Sequence, residues 1–363
     1  MRVMITGGGT GGHTSPAVAV FQELQRRDPR LTVQWVGRAG GMEERVSKAH
    51  AIPFRSLPVS GWPRKRGPRQ AWVALRMAWA YVKARSYLRR FKPQVVFGVG
   101  GYVSVPLMLA AQHAGIPTAL HEQNRRMGMA NRLASQKASK VFLSFHDTQG
   151  DFPREKAEIV GNPVRQDFIS PPTKEGARDA LDLNRRVPVL LVCGGSQGAR
   201  TLNDALAGML NRFDPEELQV IWLAGKDGAK MAHDAAHASP LTVRSFGFLE
   251  DMAGACAAAD LIVSRAGASS TAEIAVMGKP SILVPYPHAT DNHQEQNARS
   301  FEEAGAAILL LDADCNADSL GALVENLLRD PVQLRAMSAA AQSVALPGAA
   351  ETIANELVSL VMG

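Results

Sequence analysis

Two glycine-rich segments carry the residues best suited to bind an anion. The segment GGGTGGH (7–13) follows a short apolar run near the N-terminus, and GGSQG (194–198) follows a second apolar run at 189–193. Each pattern predicts a buried parallel strand, a tight turn and a helix start, where backbone N–H groups can face a phosphate. Because these turns open the two halves of a 363-residue chain, the sequence predicts two nucleotide-binding-type α/β domains with a cleft between them.

The first glycine loop formally matches the dinucleotide fingerprint G-x-G-x-x-G over residues 7–12. That fingerprint also requires an acidic residue after the second strand, to hold the ribose hydroxyls. Here the second predicted strand, 33–36, is followed by glycine and Arg38, which disfavours NAD and leaves NADP as an alternative. A turn without a ligand is the other alternative, although five glycines in six positions exceed what a turn requires. We expect His13, directly after the loop, to point toward a bound anion.

Two further segments of the first half place ligand-binding residue types after predicted strands, where parallel sheets bind their ligands. The segment GVGGYVSVP (98–106) closes one strand with glycines. The segment HEQN (121–124) follows the strand 118–120 and offers donors, acceptors and a candidate general base. A solvated turn is the alternative for HEQN.

The second half carries a comparable pair of segments. Small residues and hydroxyls over 264–271 follow the predicted strand 261–263 and suit a diphosphate, and Glu273 one turn later is placed to accept two ribose hydroxyls. The run 291–297 opens a helix with amide and carboxylate side chains. Such a helix start usually indicates capping. After the small-residue loop, however, a sugar nucleotide is the better explanation.

The elements that must position these residues alternate between strand and helix. We predict strands in the first half at 3–5, 33–36, 94–98, 118–120, 141–143 and 158–160. We predict strands in the second half at 187–193, 219–224, 242–246, 261–263, 281–284 and 308–310, followed by a helical tail from about 331. Proline-containing stretches at 161–163 and 170–173 indicate the linker. The fold class is therefore α/β, with helices on both faces of two parallel sheets.

Composition sets the broad class of the protein. With 46% hydrophobic residues, the chain is long enough to bury two cores. Its three cysteines lack metal-ligand or disulfide spacing, which favours a reducing cytosol. No apolar stretch approaches the length of a bilayer-spanning helix, and the first strand begins too early to follow a signal peptide. We expect a soluble protein.

The charge of the chain is divided unevenly. Residues 1–163 contain 25 Lys+Arg and 9 Asp+Glu, a balance of +16, whereas 164–363 contain 15 and 25, a balance of −10. No acidic residue occurs from Arg45 through His121. A basic first domain predicts an anionic partner such as a phospholipid, a phosphorylated substrate or a nucleic acid.

A basic helix predicted over 70–90 carries two separated apolar sectors. The first, the natural core face, consists of Val73, Met77, Ala80, Tyr81, Ala84 and Leu88. The second, here called the tryptophan sector and flanked by Arg69, Arg76 and Lys83, consists of Trp72, Leu75, Trp79 and Val82. One helix seldom buries two separated sectors in its own domain, and Trp beside basic residues is typical of membrane-surface binding. We expect the tryptophan sector to contact a membrane; burial of both sectors against protein is the alternative.

Seven motifs, taken in order, make the chain resemble a known family. They are GGGTGGH (7–13), GVGGYVSVP (98–106), HEQN (121–124), GNPVR (161–165), GGSQGA (194–199), RAGASSTAE (265–273) and DNHQEQNA (291–298). Their order and approximate spacing resemble the MurG family of bacterial peptidoglycan glycosyltransferases over nearly the whole chain. The resemblance implies a GT-B fold, in which two Rossmann-like domains with parallel sheets face a deep cleft. It also implies an inverting reaction with no metal ion or cofactor.

The resemblance further implies the substrates and their domains. GlcNAc would pass from UDP-GlcNAc to the MurNAc 4-hydroxyl of undecaprenyl-pyrophosphoryl-MurNAc-pentapeptide (lipid I), giving lipid II. Residues 1–163 would bind the acceptor and the membrane, with a C-terminal helix at about 341–363 packing back on them, and 164–340 would bind UDP-GlcNAc. Other expected partners are an anionic phospholipid surface on the cytoplasmic face of the inner membrane and cell-wall synthesis complexes of division and elongation, but no nucleic acid.

Carried over motif by motif, the resemblance assigns residues to the donor. The second domain and the linker would supply contacts to phosphate, uracil, ribose and sugar from Arg165, Ser196, Phe248, Leu249, Ala268, Ser269, Ser270, Thr271, Glu273, Gln294 and Asn297. The first domain would approach the donor with Thr10, Gly11, Gly12 and Asn124. Glu273 would hold the ribose, Phe248 and Leu249 would flank the uracil, and Gln294 and Asn297 would contact the GlcNAc hydroxyls.

Catalysis requires a base, because the acceptor hydroxyl must lose a proton as it attacks the anomeric carbon. His13 is the first candidate, since an unperturbed imidazole titrates near neutrality. Glu122 is the second candidate, and Tyr102 is expected to orient the acceptor. Helix N-termini and backbone amides would meet the charge that develops on UDP.

Two other classes of protein stay open. A UDP-GlcNAc epimerase or a lipid glycosyltransferase of the same architecture would share the donor loops but lack the HEQN motif. A non-enzymatic protein that binds nucleic acid or another anion would account for the basic half. It would, however, need exposed stacking aromatics and would not need two phosphate-binding turns.

Overall fold

The computed structural model describes residues 1–9, 11–61, 67–195, 198–289 and 292–362. Within them the chain forms two compact units. The first comprises Met1–Gln166 with Leu346–Gly363, and the second comprises Asp167–Ala345. Thr10, Ser196 and the run 62–66 lie outside the described residues.

The described part of the first unit is built on a seven-stranded parallel sheet of order β3-β2-β1-β4-β5-β6-β7. Its strands are β1 Arg2–Thr6, β2 Thr32–Arg38, β3 Phe54–Leu57, β4 Val95–Gly98, β5 Thr118–Glu122, β6 Lys140–Leu143 and β7 Ala157–Ile159. Between them lie α1 Gly11–Arg27, α2 Met42–Ala49, α3 Pro68–Phe91, α4 Val105–His113 and α5 Met129–Ser135.

The core of this unit lies on both faces of the sheet. Met4 and Val96 face one side, where they pack with residues of α3, α4 and α5. Their neighbours Ile5 and Phe97 face the other side and pack with α1. Successive strand residues point to opposite faces, so a sheet covered on both sides requires apolar residues at nearly every position. This is why β1 and β4 are continuous apolar runs.

The described part of the second unit repeats the plan with a six-stranded parallel sheet of order β10-β9-β8-β11-β12-β13. Its strands are β8 Val189–Cys193, β9 Gln219–Leu223, β10 Thr242–Phe246, β11 Leu261–Ser264, β12 Ser281–Leu283 and β13 Ala307–Leu309. Its helices are α6 Gln166–Ile169, α7 Lys174–Ala180, α8 Arg200–Met209, α9 Gly225–Ala238, α10 Met252–Ala258, α11 Ala268–Val276, α12 His293–Glu303, α13 Ala317–Arg329 and α14 Pro331–Ser343.

The helical tail is two helices rather than one. After α14, the chain enters the first unit, where α15 Ala349–Met362 packs on α1. Ile353 and Leu357 are fully buried in the same core cluster as the apolar face of α1. Arg27 of α1 pairs with Glu351 at 3.2 Å.

Every predicted strand is present within two residues at each end, and β3 is an addition. β3 lies at the edge of its sheet, between Pro53 and Pro58, and only Leu57 of its four residues is buried. A short edge strand with one buried side chain has no clear alternation, so its sequence pattern is weak. Among the described residues, no helix is both long and apolar enough to cross a bilayer.

Candidate active site

Three neighbouring strands of the first unit end at one edge of its sheet. β1 leads into Gly7–Gly9, β4 into Val99–Gly101, and β5 into the HEQN loop. Because the strands are parallel and adjacent in the order β1-β4-β5, their loops meet at the carboxyl edge. The structure therefore brings together the three motifs that the sequence singled out in this half.

The two glycine loops interlock through their backbones. The N–H of Gly8 donates to the carbonyl of Gly100 at 3.4 Å. A Cβ at Gly101, which has φ +78°, would lie 2.5 Å from the Gly8 carbonyl oxygen. Only glycine allows this approach in the left-handed region.

His13 lies beside the second glycine loop. It is the third residue of α1, after Gly11 and Gly12, and its side chain is half-buried. A Cβ at Gly100 would lie 3.2 Å from His13 Cδ2 and 3.1 Å from the side-chain nitrogen of Asn131. The imidazole therefore lies at the carboxyl edge, close to the segment that follows HEQN.

Glu122 is buried and accepts hydrogen bonds from its own loop. Its Oε1 accepts from the backbone N–H and the Nδ2 of Asn124, at 3.0 and 3.2 Å. Its Oε2 accepts from the N–H of Gly128 at 3.0 Å and from Asn131 Nδ2 at 2.9 Å. Burial raises the pKa of Glu122, and these hydrogen bonds, led by that of Asn131, oppose the rise. The Glu122 carboxylate holds its own loop together, and its role as the second candidate base stays a prediction.

His121 ties the HEQN loop to the GNPVR motif. Its ring is fully buried, Nδ1 accepts from Gln123 Nε2 at 3.1 Å, and Nε2 donates to the carbonyl of Gly161 at 2.9 Å. Burial lowers the pKa of His121 to about 4, so the ring is neutral at physiological pH. Tyr102 is half-buried at the same edge, close to Gly61.

Asn131 was missed by sequence analysis, and its replacement should be costly. Asn131→Ala leaves the buried Glu122 carboxylate with one donor fewer, so we expect the free energy of unfolding to fall by about 1–3 kcal/mol. In the wild type the hydrogen bond from Asn131 lowers the pKa of Glu122, so without it the pKa of Glu122 should be higher in the variant than in the wild type. The difference in stability between wild type and variant should therefore be largest at pH values above the pKa of Glu122 in the variant. It should become smaller as the pH falls through that pKa.

Urea unfolding over a pH series measures this loss. The matched control is Gln136→Ala, which removes an exposed amide next to α5 that donates to the Asp151 carbonyl at 3.3 Å. It should cost less than about 0.5 kcal/mol. Equal losses from the two variants, or a loss for Asn131→Ala that is independent of pH, would contradict the assignment.

The second unit has a corresponding carboxyl edge. β8 leads into Gly194 and Gly195, β11 into the small-residue loop before α11, and β12 into the segment 284–289 before α12. These strands are adjacent in the sheet, so the predicted donor motifs also share one edge. Phe248 and Leu249 follow β10 further along, with Phe248 74% exposed and Leu249 half-buried.

The predicted contact residues at the start of α11 differ in their surroundings. Ala268 is buried, and Ser269 and Ser270 are half-buried at the helix start. The buried Thr271 hydroxyl instead donates within its own turn, to the carbonyls of Gly267 and Ala268 at 3.2 and 3.1 Å. The Thr271 hydroxyl is therefore bonded within its own helix turn, and its expected contact with the donor stays a prediction.

Glu273 lies near the end of β8. Burial raises the pKa of the Cys193 thiol to about 11; Ser264 opposes the rise, and the charge of Glu273 adds to it. Glu273 is half-buried in α11, which begins at the carboxyl edge after β11.

The two amides of α12 have different environments. Gln294 is half-buried, and its Oε1 accepts from the N–H of Tyr286 at 2.9 Å. Asn297 is 0% exposed and donates to the Ala266 carbonyl at 3.0 Å. Asn297 therefore holds the loop before α11 through its Nδ2, and its expected contact with the sugar stays a prediction.

Arg265 and Asp312 are functional-site supports that sequence analysis missed. The buried Arg265 guanidinium donates to the carbonyls of Val284 and Pro285 and to Asp312, which also accepts from Thr201 at 3.2 Å. This network joins the loops after β11 and β12. Within the described ranges, no group of three or more His, Cys, Asp or Glu residues could hold a metal ion.

Comparison with known proteins identifies the class. Residues 3–143 match the glycosyltransferase family 28 N-terminal domain, and residues 189–353 match the glycosyltransferase family 28 C-terminal domain. Together with the two parallel-sheet units, these matches define a glycosyltransferase with the GT-B fold.

Individual relatives narrow the class. A UDP-N-acetylglucosamine--N-acetylmuramyl-(pentapeptide) pyrophosphoryl-undecaprenol N-acetylglucosamine transferase from Desulfitobacterium hafniense is 39% identical over 98% of both chains. Acinetobacter baumannii MurG has a TM-score of 0.77 and 30% identity over 99% of both chains. A UDP-GlcNAc 2-epimerase from Neisseria meningitidis, solved with UDP-GlcNAc, has a TM-score of 0.70 at 15% identity, which shows a shared fold alone. The chain belongs to the MurG family of N-acetylglucosamine transferases.

Proposed function

We propose that this enzyme transfers GlcNAc from UDP-GlcNAc to the MurNAc 4-hydroxyl of lipid I, with inversion, and so forms lipid II. The observation that carries the proposal is the full-length likeness to transferases named for this donor and acceptor. The motifs at the two carboxyl edges support the proposal. The first unit provides the half-buried His13, and the second provides the N-terminus of α11, a helix start suited to bind a diphosphate.

Incubation with labelled UDP-GlcNAc and a lipid I analogue tests the proposal directly. Label should enter the lipid product, and UDP should be released in equal amount. Conversion of UDP-GlcNAc without label in the lipid would instead favour the epimerase alternative.

In this proposal the first unit binds the acceptor and the second unit binds the donor. His13 takes the proton of the attacking hydroxyl, because its half-buried imidazole lies among the loops of the carboxyl edge. Glu122 positions Asn124 and the following loop, and Tyr102 orients the acceptor. A single displacement then inverts the anomeric carbon, while UDP leaves from the opposite face.

The donor assignments follow the second unit's edge. Glu273 holds the ribose, Phe248 and Leu249 flank the uracil, and Gln294 contacts the sugar. The diphosphate lies against the start of α11, where amides rather than a metal ion meet its charge. The remaining donor contacts are assigned to Thr10, Gly11, Gly12, Asn124, Arg165, Ser196, Ala268, Ser269 and Ser270.

We also propose that α3 docks on an anionic membrane. Its tryptophan sector is 51–72% exposed, whereas Val73, Ala80 and Ala84 on the opposite face are buried in the core. The Arg76 guanidinium lies 4.5 Å from the centroid of the Trp72 ring. An exposed apolar sector beside cations, in a region without acidic residues, suits an anionic bilayer surface. Such docking on the cytoplasmic face of the inner membrane would bring the enzyme to a lipid-linked acceptor.

The membrane proposal predicts binding to anionic but not zwitterionic vesicles. Each basic residue near the surface contributes about 1 kcal/mol, which salt screens, so high salt should weaken co-sedimentation. Trp72→Ser with Trp79→Ser should weaken it further, while UDP-GlcNAc binding stays unchanged. Val332→Ser, an exposed apolar residue of the second unit, is the matched control. Co-sedimentation that is the same with anionic and zwitterionic vesicles, and the same in wild type and the double Trp variant, would refute docking through α3.

A further inference from the structure

A buried carboxylate lies against the first glycine loop. Glu43, in the first turn of α2, is 0% exposed. Its Oε2 accepts from the N–H of Gly9 at 3.1 Å, and its Oε1 accepts from the N–H of Arg38 at 2.8 Å. One side chain thus joins the loop after β1 to the end of β2.

Three glycines enclose this carboxylate. A Cβ at Gly8 would lie 2.4 Å from Glu43 Oε2, and a Cβ at Gly37 would lie 2.4 Å from Glu43 Cγ. A Cβ at Gly41 would lie 2.7 Å from the carboxylate carbon. Glu43 can therefore occupy this position only because all three surrounding residues are glycines without a side chain.

The same loop is held at each of its three glycines. The Gly7 carbonyl accepts from the buried Trp35 Nε1 at 3.2 Å, Gly8 bonds Gly100, and Gly9 bonds Glu43. Only the last of these contacts carries a charge. In the described part of the chain, no lysine or arginine side chain forms an ion pair with Glu43, and its hydrogen-bond donors there are the backbone N–H groups of Gly9 and Arg38.

We propose that Glu43 is a positioning residue for glycosyl transfer: it fixes the first glycine loop and thereby the start of α1, where His13 lies. Gly9 precedes α1 by two positions, so the bond at Gly9 sets where the helix begins. The inference rests on the proposed function, because it assigns His13 to the transfer step.

The same contact sets what the loop can bind. In dinucleotide-binding proteins, the amides of this loop face a pyrophosphate. Here the Gly9 amide already donates to the Glu43 carboxylate. In this conformation of the loop, that one amide therefore does not face a ligand phosphate.

Glu43→Gln tests the proposal at constant size. The NH₂ group of glutamine is a donor and cannot accept a hydrogen bond. The variant therefore loses either the hydrogen bond from the Gly9 N–H or the one from the Arg38 N–H. We expect kcat to fall about 10–100-fold, since displacement of a reacting group by about 1 Å has an effect of this size. The KM for UDP-GlcNAc and the UDP-induced shift in Tm should change much less than kcat, because the residues assigned to the uracil and the ribose, Phe248, Leu249 and Glu273, lie in the second unit. Amide hydrogen exchange at Gly8 and Gly9 should become faster.

Two further variants make the test specific. Gly37→Ala should reproduce the effect, because its Cβ would displace Glu43 without changing the chemistry of the carboxylate. Glu44→Gln is the matched control and should retain kcat. Glu44 is the next residue of α2, and it accepts from the Gly40 N–H at 2.7 Å and pairs with Lys48 at 3.0 Å, away from the loop.

The outcomes separate this inference from the proposed function. If wild-type enzyme transfers no GlcNAc to lipid I, the proposed function fails, and hydrogen exchange at Gly8 and Gly9 still decides whether Glu43 holds the loop. If Glu43→Gln retains kcat within about twofold, or loses kcat and donor binding together, the positioning role is overturned.

Discussion

Replacing His13 by alanine should lower kcat by about 10²–10⁴-fold while UDP binding remains nearly intact. A general base acts mainly in the transition state, so its loss affects turnover rather than the affinity for the donor. Steady-state kinetics with a lipid I analogue, together with UDP-induced shifts in Tm, would measure both quantities on the same preparation.

The control for this substitution is His113→Ala. His113 is exposed near the C-terminal end of α4, where its Nδ1 lies 2.8 Å from the Tyr81 hydroxyl. Its loss should leave kcat unchanged. Glu122→Gln should mainly reduce stability, because Glu122 accepts four hydrogen bonds within its loop. If His13→Ala keeps full turnover while a folded Glu122→Gln variant loses it, the general base is Glu122 and not His13.

Glu273→Ala should remove most of the stabilisation that UDP and UDP-GlcNAc give to the folded enzyme. A ligand at 100 times its Kd stabilises by about 2.7 kcal/mol, so a 100-fold loss of affinity would reduce the effect to about 0.4 kcal/mol. The physical reason is the loss of a carboxylate acceptor for two ribose hydroxyls. Thermal unfolding at fixed ligand concentration, checked by calorimetric titration, gives the change.

Glu303→Ala is the matched control, since Glu303 is exposed at the end of α12. UDP should stabilise this variant as it does the wild type. NADPH should stabilise neither protein, because the proposed donor residues Glu273, Phe248 and Leu249 are assigned to the ribose and the uracil of UDP. Equal stabilisation by NADPH and UDP-GlcNAc would contradict the transferase proposal.

The sequence predicted what depends on local pattern. Buried strands such as β1 and β8, followed by glycines, were visible because apolar runs and turn residues are neighbours in the chain. β3 was missed because an edge strand buries little. The hydrogen bond from Asn297 to the Ala266 carbonyl could not be predicted, because a polar residue at a helix start has the same pattern whether it faces a ligand or a backbone carbonyl.

The supports of the site were harder to predict. Asn131 contacts Glu122 from the next helix, and Glu43 fits among Gly8, Gly37 and Gly41. Asn131 lies 9 positions from Glu122 and Gly9 lies 34 positions from Glu43, and contacts at such varied separations leave no periodic signal. The one hint was charge, since Glu43 and Glu44 are the last acidic residues before a long basic stretch.

The return of α15 to α1 has a consequence for biosynthesis. The second unit is an insertion within the first, and its two ends are close, since a Cβ at Gly161 would lie 2.5 Å from the Cβ of Leu346. At about 5–20 residues per second, a ribosome needs roughly 10–40 s to make the inserted unit. Through that interval the apolar surface of α1 that later meets Ile353 and Leu357 has no covering helix. The nascent first unit is therefore the species most exposed to chaperones and to aggregation, and it becomes complete only after the second unit has left the ribosome.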